Sequence, residues 1–436
     1  MARDQEQEAA LQGGHGLVDP RKPSKQLPVP WQVLDRLLTF QSADQKSWWE
    51  RLAPVLGATL QITGYSLEAQ YRYMMVFFAA IMPNIGPVPN ATASNLTWTG
   101  VLPTGEGLLE ASVNYQRDDQ VLLRFSLEPI GEHAGTDDDP INEMATRQVM
   151  QTLSRAQPGT VDLTLYDHFA STVAIDGLEA RQNWEAIAQM PCKSHSSLAL
   201  DLHPTAFKVK AYAGPWVRAA IKGSHSFTVM FDSLRQLQET SGLEFDYSAI
   251  ERYMWTRVEY FNPENTYISV DCADPATSRI KVYCDAEART LHDLKDIWSL
   301  GGILHDEAAN RGWELVERMW NALFPLTLPG GRRLSAMPAA VNWEISLTDG
   351  SIVPKMYFYV VDFFDRDVSL AVEGLFQELG WQKHIQTARQ LDTEVHNLPD
   401  RPDSSSCYVW VSIAYSAERG AYVTKYTNLA CNAIVQ

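Results

Sequence analysis

Two periods of apolar residues alternate along the chain. From Leu67 to Met82 the apolar positions Leu67, Tyr71, Met74, Met75, Phe78, Ile81 and Met82 recur at helical spacing, so they share one face, and Ser66 stands in the N-cap position. The same spacing predicts helices near residues 142–155, 228–241, 287–300, 306–322 and 366–380. Between them lie paired runs in which polar and apolar residues alternate, as in strands with two unlike faces. These runs are Leu108–Pro129, Leu198–Pro215, Ile268–Asp285, Val341–Val361 and Cys407–Asn428.

The paired runs are copies of one pattern. LALDLHPTAFKVKAYAGP (198–215) and ISVDCADPATSRIKVYCD (268–285) each have an apolar strand ending in Asp, a turn containing Pro, and a strand ending Lys-x-Tyr. Basic residues Arg124, Lys210, Lys281 and Lys355 recur at equivalent places, roughly every 70–85 residues. Five hairpins separated by helices predict an α/β (α+β) fold. About ten antiparallel strands close into one barrel, with the helices outside and a solvent-filled lumen. Residues 1–27, polar and rich in Gly and Pro, read as a flexible tail, and residues 28–436 as one domain.

Alternation also sorts the chemistry. Lys210 and Tyr212 share a strand face, as do Arg279, Lys281 and Tyr283, and Lys355 and Tyr357. Ala211, Ile280, Val282 and Met356 take the opposite face, which suits contact with helices. If the apolar set faces the helices, the Lys/Arg/Tyr set faces the lumen. A lumen lined by Arg124, Lys210, Arg279, Lys281 and Lys355 is unstable when empty and asks for a compact, highly charged anion such as a diphosphate. Tyrosines among the cations donate to phosphate oxygens, and their ring faces stabilise a carbocation. Together these are the needs of an allylic diphosphate. The plainer alternative, Lys and Tyr facing water, does not account for their recurrence in register.

Composition narrows the partners. The chain has 53 acidic and 36 basic residues, a formal net charge of −17. That is contrary to binding nucleic acid or an anionic membrane surface. The N-terminal stretch has no apolar core of signal-peptide length, and the longest apolar run, Met74–Met82, stops at Pro83. Five cysteines, an odd number without a CxxC pair, fit reduced thiols in a cytoplasmic protein. Asp137-Asp138-Asp139 lacks the helical DDxxD spacing and runs into Pro140, so it reads as a solvated loop rather than a metal site. No HExxH, P-loop, GxGxxG or GxSxG pattern is present; Gly330-Gly331-Arg332-Arg333 does not satisfy the P-loop frame. His195, near a lumen strand, is a weak candidate base.

From about Trp31 to the C-terminus, and most specifically in GYSLEAQYRYMMVFFAAIMPNIGP (64–87), LALDLHPTAFKVKAYAGP and VDCADPATSRIKVY (270–283), the chain resembles the fungal aromatic (indole) prenyltransferases of the dimethylallyltryptophan synthase family, with the ABBA or PT-barrel fold. The resemblance implies metal-independent transfer of a prenyl group from dimethylallyl diphosphate to an electron-rich aromatic small molecule, indole-containing or phenolic. It implies no cofactor and no Mg²⁺ requirement, and a homodimer is compatible with it. Arg124, Lys210, Arg279 and Lys281 match the diphosphate-binding cations, and Lys355 stands where many members carry Gln. Tyr212, Tyr283 and Tyr357 match the carbocation shield. Trp410 replaces one shield tyrosine, and Tyr426 or Tyr422 supplies the last. Glu110 matches the catalytic carboxylate that binds an acceptor N–H, and Val101 and Leu102 fall in the acceptor pocket. Ala340 falls where a larger residue limits donor length, so geranyl or longer donors are admitted. The base and the carboxylate-binding Arg of members that use free tryptophan fall near Ser197 and Thr266, so a larger indole or a phenol fits better. The alternatives are a non-catalytic barrel that binds an isoprenoid diphosphate, and a Mg²⁺-dependent terpene-type enzyme.

Overall fold

The computed structural model describes residues 29–90, 94–100, 109–324, 326, 334–398 and 407–428. The expected tail 1–27 and the acceptor-pocket residues Val101 and Leu102 lie outside these, as do Gly330 to Arg333 and Cys431. The ten strands are β1 (Leu109–Gln116), β2 (Val121–Leu127), β3 (Ser196–Leu202), β4 (Phe207–Ala213), β5 (Phe261–Asp271), β6 (Arg279–Ala288), β7 (Met337–Ser346), β8 (Ile352–Tyr359), β9 (Tyr408–Ser416) and β10 (Gly420–Asn428). Each pairs antiparallel with its neighbours in sequence, and β1 pairs with β10, so the sheet closes as the hairpin repeat predicts. The tight β1–β2 turn places Asp118 and Asp119 both at φ 59°, a backbone suited to a twisted hairpin and one that Asp tolerates.

Closure is driven by the outer face. Ile280, Val282, Trp343, Met356 and Ile413 point away from the lumen and are almost wholly buried in one core with the surrounding helices. Helices Glu143–Ala156, Ser226–Ser241, Glu307–Leu323 and Asp365–Glu378 lie where the apolar spacing predicts them. The helix expected at 287–300 starts only at Leu291, because β6 runs to Ala288 and the capping box of Thr290 and Asp293 sets the start. Ser66 caps the helix Leu67–Val76, accepting from the Ala69 amide at 3.2 Å. The winding then widens to a π-turn over Phe77–Ile81 and tightens at Met82–Asn84. Pro83 explains the change, since its ring cannot continue an α-helix past the carbonyl four residues earlier.

Helices Ala43–Ile62, Thr164–Thr172, Ser248–Thr256 and Gln382–Gln390 were not predicted. The first carries Pro54 in its interior and buries residues on much of its circumference, which hides a single-faced pattern. The other three are short. Among the described residues no helix is long and apolar enough to cross a membrane.

Candidate active site

Alternation along each strand delivers two polar layers and an aromatic layer to the lumen. On β6 the lumen-facing order is Arg279, Lys281, Tyr283, Asp285; on β8 it is Lys355, Tyr357, Tyr359; on β4 it is Lys210, Tyr212. These strands run in the same direction, so cations gather toward one end of the lumen and tyrosines form the next layer. Carboxylates and further aromatic rings lie beyond.

The cation layer is not bare. Directly across from Arg124 in the next strand stands Asp201, across from Lys210 stands Asp271, and across from Lys281 stands Glu344. Arg124 Nε lies 3.0 Å from Asp201, which also holds Lys210. Arg279 reaches Asp271 at 2.6 Å and Glu344 at 2.8 Å, and Lys281 reaches Asp271 at 3.3 Å. This corrects the expectation of an unbalanced cationic lumen. Burial opposes the charge on Asp201 and Asp271, but the surrounding cations outweigh it and hold both carboxyls well below the usual range. Both carboxylates are therefore charged at rest and fix the direction of the basic residues before any ligand arrives, while burial, only partly offset by Asp201, pulls the Lys210 amine down to about 7. The recurrence of Asp201 and Asp271 in the hairpin repeat was their signal, though it did not reveal whom they face. Glu344 had none.

Lys355 differs from the other four. The residue across from it is Ala414, and among the described residues no carboxylate lies within 4 Å. Its amine donates to the Tyr426 hydroxyl at 3.3 Å and lies 4.9 Å from the centre of the Tyr357 ring.

Above the cations the rings form a continuous arc. Centroid separations are 5.6 Å from Tyr212 to Tyr283, 6.0 Å from Tyr283 to Tyr357, 5.9 Å from Tyr357 to Tyr426 and 6.3 Å from Tyr357 to Trp410. Tyr359, which the sequence reading passed over, extends the arc, 4.8 Å from Trp410. The Asn342 side chain donates to the Tyr357 hydroxyl at 2.9 Å and orients that ring. Burial pushes the phenols of Tyr212, Tyr283, Tyr357 and Tyr426 upward, so all stay protonated donors at neutral pH.

The arc walls a cavity of about 660 Å³, within the ordinary range for small-molecule sites. Glu110, Ser197, Asp285 and Ala340 also line it. Glu110 is only 6% exposed, and burial pushes its carboxyl up to about 8. Burial likewise raises Asp285 to about 6, partly offset by the Asn265 amide at 2.9 Å. Glu259 and Glu287 sit in the same wall, and no Lys or Arg joins them among the described residues. Thr266 does not reach this space: its buried hydroxyl donates to the Asn262 carbonyl, and an irregularity in β5 gives the lumen Asn265 and Tyr267 instead.

Other candidates prove structural. His195 is tied between the Lys193 carbonyl at 2.8 Å and the Ile175 backbone, outside the cavity. Asp139 accepts the amides of Glu143 and Met144 at a helix start, and Arg181 binds the carbonyls of Asp137 and Asp138. The acidic triplet is thus a helix-capping loop.

The family profile described as tryptophan dimethylallyltransferase matches residues 44–390. This chain belongs to that family. The prenyltransferase is 29% identical over 413 residues to "Reverse prenyltransferase criA" of Aspergillus cristatus, covering 91% of this chain and 93% of that one. It superposes on the crystal structure of AnaPT from Neosartorya fischeri with a TM-score of 0.79 at 28% identity, covering 92% and 97% of the two chains. It also superposes on NotF in complex with brevianamide F and DMSPP with a TM-score of 0.79 at 25% identity, covering 92% and 98%. Relatives and fold together make this an aromatic prenyltransferase with the ABBA barrel.

Proposed function

We propose that this prenyltransferase transfers a dimethylallyl group from its diphosphate to an indole-containing or phenolic acceptor that bears no free carboxylate. The observation that carries this reading is the division of one lumen into a cation layer, an aromatic layer and a layer of carboxylates. Four basic residues share three carboxylates, and a fifth, Lys355, has none, so the donor set is one that an anion completes. Arg124, Lys210, Arg279, Lys281 and Lys355 hold the diphosphate as its C1–O bond breaks and the electron pair moves to the leaving oxygen. The resulting allylic cation meets the faces of Tyr212, Tyr283, Tyr357, Trp410 and Tyr426, which exclude water. The aromatic ring attacks this cation while Glu110 accepts its N–H or O–H, and the ring proton then passes to a base in the lumen, the released diphosphate included.

The cation layer does the electrostatic work that Mg²⁺ does in other prenyl-diphosphate enzymes, so turnover should persist in EDTA. Ala340, small and buried between Tyr357 and Asp285 across the neighbouring strands, leaves room for a geranyl chain. The carboxylate-lined acceptor space disfavours free tryptophan and favours an amide, ester or cyclic dipeptide. Reduced thiols at Cys192, Cys272 and Cys284 fit a cytosolic setting, and residues 28–436 fit one catalytic domain.

The test is incubation with dimethylallyl diphosphate and a matched set of tryptophan, tryptophan amide and tryptophan-containing cyclic dipeptides, plus phenols, with and without EDTA, read by mass spectrometry. Prenylation of the uncharged acceptors in EDTA is the expected result. Binding without turnover across the whole set would favour a carrier barrel, and loss of turnover in EDTA a Mg²⁺-dependent enzyme.

A further inference from the structure

One break in the barrel's acid–base pattern assigns a distinct task to Lys355. Between successive hairpins, each basic residue faces the lumen directly opposite one residue of the next strand. The opposite residue is Asp201 for Arg124, Asp271 for Lys210 and Glu344 for Lys281, but Ala414 for Lys355. A methyl group stands where the pattern has a carboxylate.

The groups that face Lys355 come from every strand around it. Arg124 on β2, Lys210 on β4 and Lys281 on β6 present like charge, and Asn342 is its cross-strand neighbour on β7. Glu344, also on β7, favours the charged form, but Arg279 already holds it at 2.8 Å. From β9 come Ser412 and Ala414, and from β10 the rings of Tyr422 and Tyr426, with centroids 5.6 and 5.8 Å from the amine. An ammonium here would be 7% exposed, with three cations nearby and only ring faces and a phenol oxygen to stabilise it. Three ring faces offset part of that cost, but like-charge repulsion and lost hydration oppose the charged form. Consistently, burial first, and then Arg124, Lys210 and Lys281, push the amine well below the usual lysine range.

We propose that Lys355 is a neutral amine in the ligand-free barrel and becomes an ammonium only as the donor diphosphate enters, taking up one proton from solvent with it. The proposal rests on the donor-site reading above. The four paired basic residues give the lumen its resting affinity for an anion, and Lys355 adds its charge on demand. The proton ledger closes over a turnover. The acceptor ring loses H⁺ as the new C–C or C–heteroatom bond forms, and diphosphate leaves as its hydrogen form. The proton borrowed by Lys355 returns to solvent when the site empties. Lys355 touches the substrate in this scheme, so it is a catalytic residue rather than a scaffold.

The experiment is calorimetric titration of the full chain with dimethylallyl S-thiolodiphosphate, an unreactive donor analogue, at about pH 7.5 in Tris and in PIPES. The different ionisation heats of these buffers report proton uptake. The expected result is about one more proton taken up by the wild type than by Lys355→Arg or Lys355→Gln. Wild-type affinity should fall by up to about tenfold per pH unit over the window between the free and bound pKa of the amine, and both variants should lack that component. Lys355→Arg tests a permanent charge and Lys355→Gln a neutral side chain that needs no counter-ion, so one misfolded variant leaves the other decisive. Binding with equal proton uptake in all three proteins would overturn this inference alone. No binding to the wild type would overturn the donor-site reading and this inference with it.

Discussion

At the scale of single residues, the site turns on groups whose usual charge is disfavoured by burial. Glu110 shows the sign most simply. Its carboxyl is pushed up to about 8 by burial, above the ordinary carboxyl value of the unfolded chain. The stability linked to its protonated form is fully present below the unfolded pKa and is lost as pH rises through about 8. Glu110→Gln removes that loss. Ligand-free variant and wild type should melt together near about pH 5, and the variant should melt higher near about pH 9. Thermal unfolding at the two pH values checks this, and an equal difference at both would contradict it. The gap converts to about 1.4 kcal/mol per tenfold change in proton affinity. The same substitution should lower turnover of an N–H acceptor by about a hundredfold. Ala340 makes a second prediction. Ala340→Met fills the space between Tyr357 and Asp285 and should cut geranyl transfer by about tenfold or more, leaving dimethylallyl transfer within a few-fold; paired kcat/KM values decide it.

At the scale of elements, the hairpins and the seams between them hold charges that only pairing makes tolerable. Asp271 holds both Arg279 and Lys281, so Asp271→Asn leaves one buried and one half-buried cation short of a partner. The expected cost is about 3–5 kcal/mol in the empty barrel. Added pyrophosphate should raise the variant's melting temperature by more than it raises the wild type's, since the anion replaces the lost charge; equal shifts would show that Asp271 does not shape the anion site. On the outer side, a Cβ added to Gly312 would lie 2.6 Å from the Trp298 ring, where helix Glu307–Leu323 approaches its neighbours. Gly312→Val should therefore destabilise the fold by overpacking, by about 1–3 kcal/mol in denaturant melts.

The hairpins were legible in sequence because alternation and the Lys-x-Tyr recurrence survive in each copy, and they carry Arg124, Lys210, Lys281 and Lys355 to equivalent places. The seam pairs were not legible. A sequence shows that Asp201 and Asp271 recur, but not that closure sets them opposite the base of the preceding hairpin. Tyr359 and Asp285 lie two residues beyond the shield tyrosines on the same strand face, so the period that found Tyr357 and Tyr283 also reaches them. Thr266 was misplaced because an irregularity in β5 breaks that period.

At the scale of the whole molecule, the net charge of −17 and the lumen cations describe different surfaces of one protein. The exterior repels a diphosphate that the interior attracts. Salt screens the long-range repulsion first, because the Debye length falls from about 30 Å at 0.01 M to about 8 Å at 0.15 M, while buried pairs are screened much less. The donor's association rate, followed by tyrosine and tryptophan fluorescence in stopped flow, should therefore rise over this salt range. A fall would mean that attraction by the lumen reaches past the acidic surface.

Ring closure has a consequence in time as well as in space. The partner of β1 is β10, the last strand to leave the ribosome, and β10 brings Tyr426, on which Lys355 rests. Nine strands synthesised first can form hairpins and recruit helices, but they cannot enclose the lumen. During translation Lys210 and Lys281 can meet Asp201 and Asp271 of their own hairpins, while Arg124 waits for Asp201, and Arg279 for its second partner Glu344, on the next hairpin to emerge. The catalytic chamber is thus assembled in one late event, when the two ends of the sheet meet across the greatest sequence separation in the barrel. Such a closure makes folding slow relative to its stability, and exposes two unpaired strand edges until it is done.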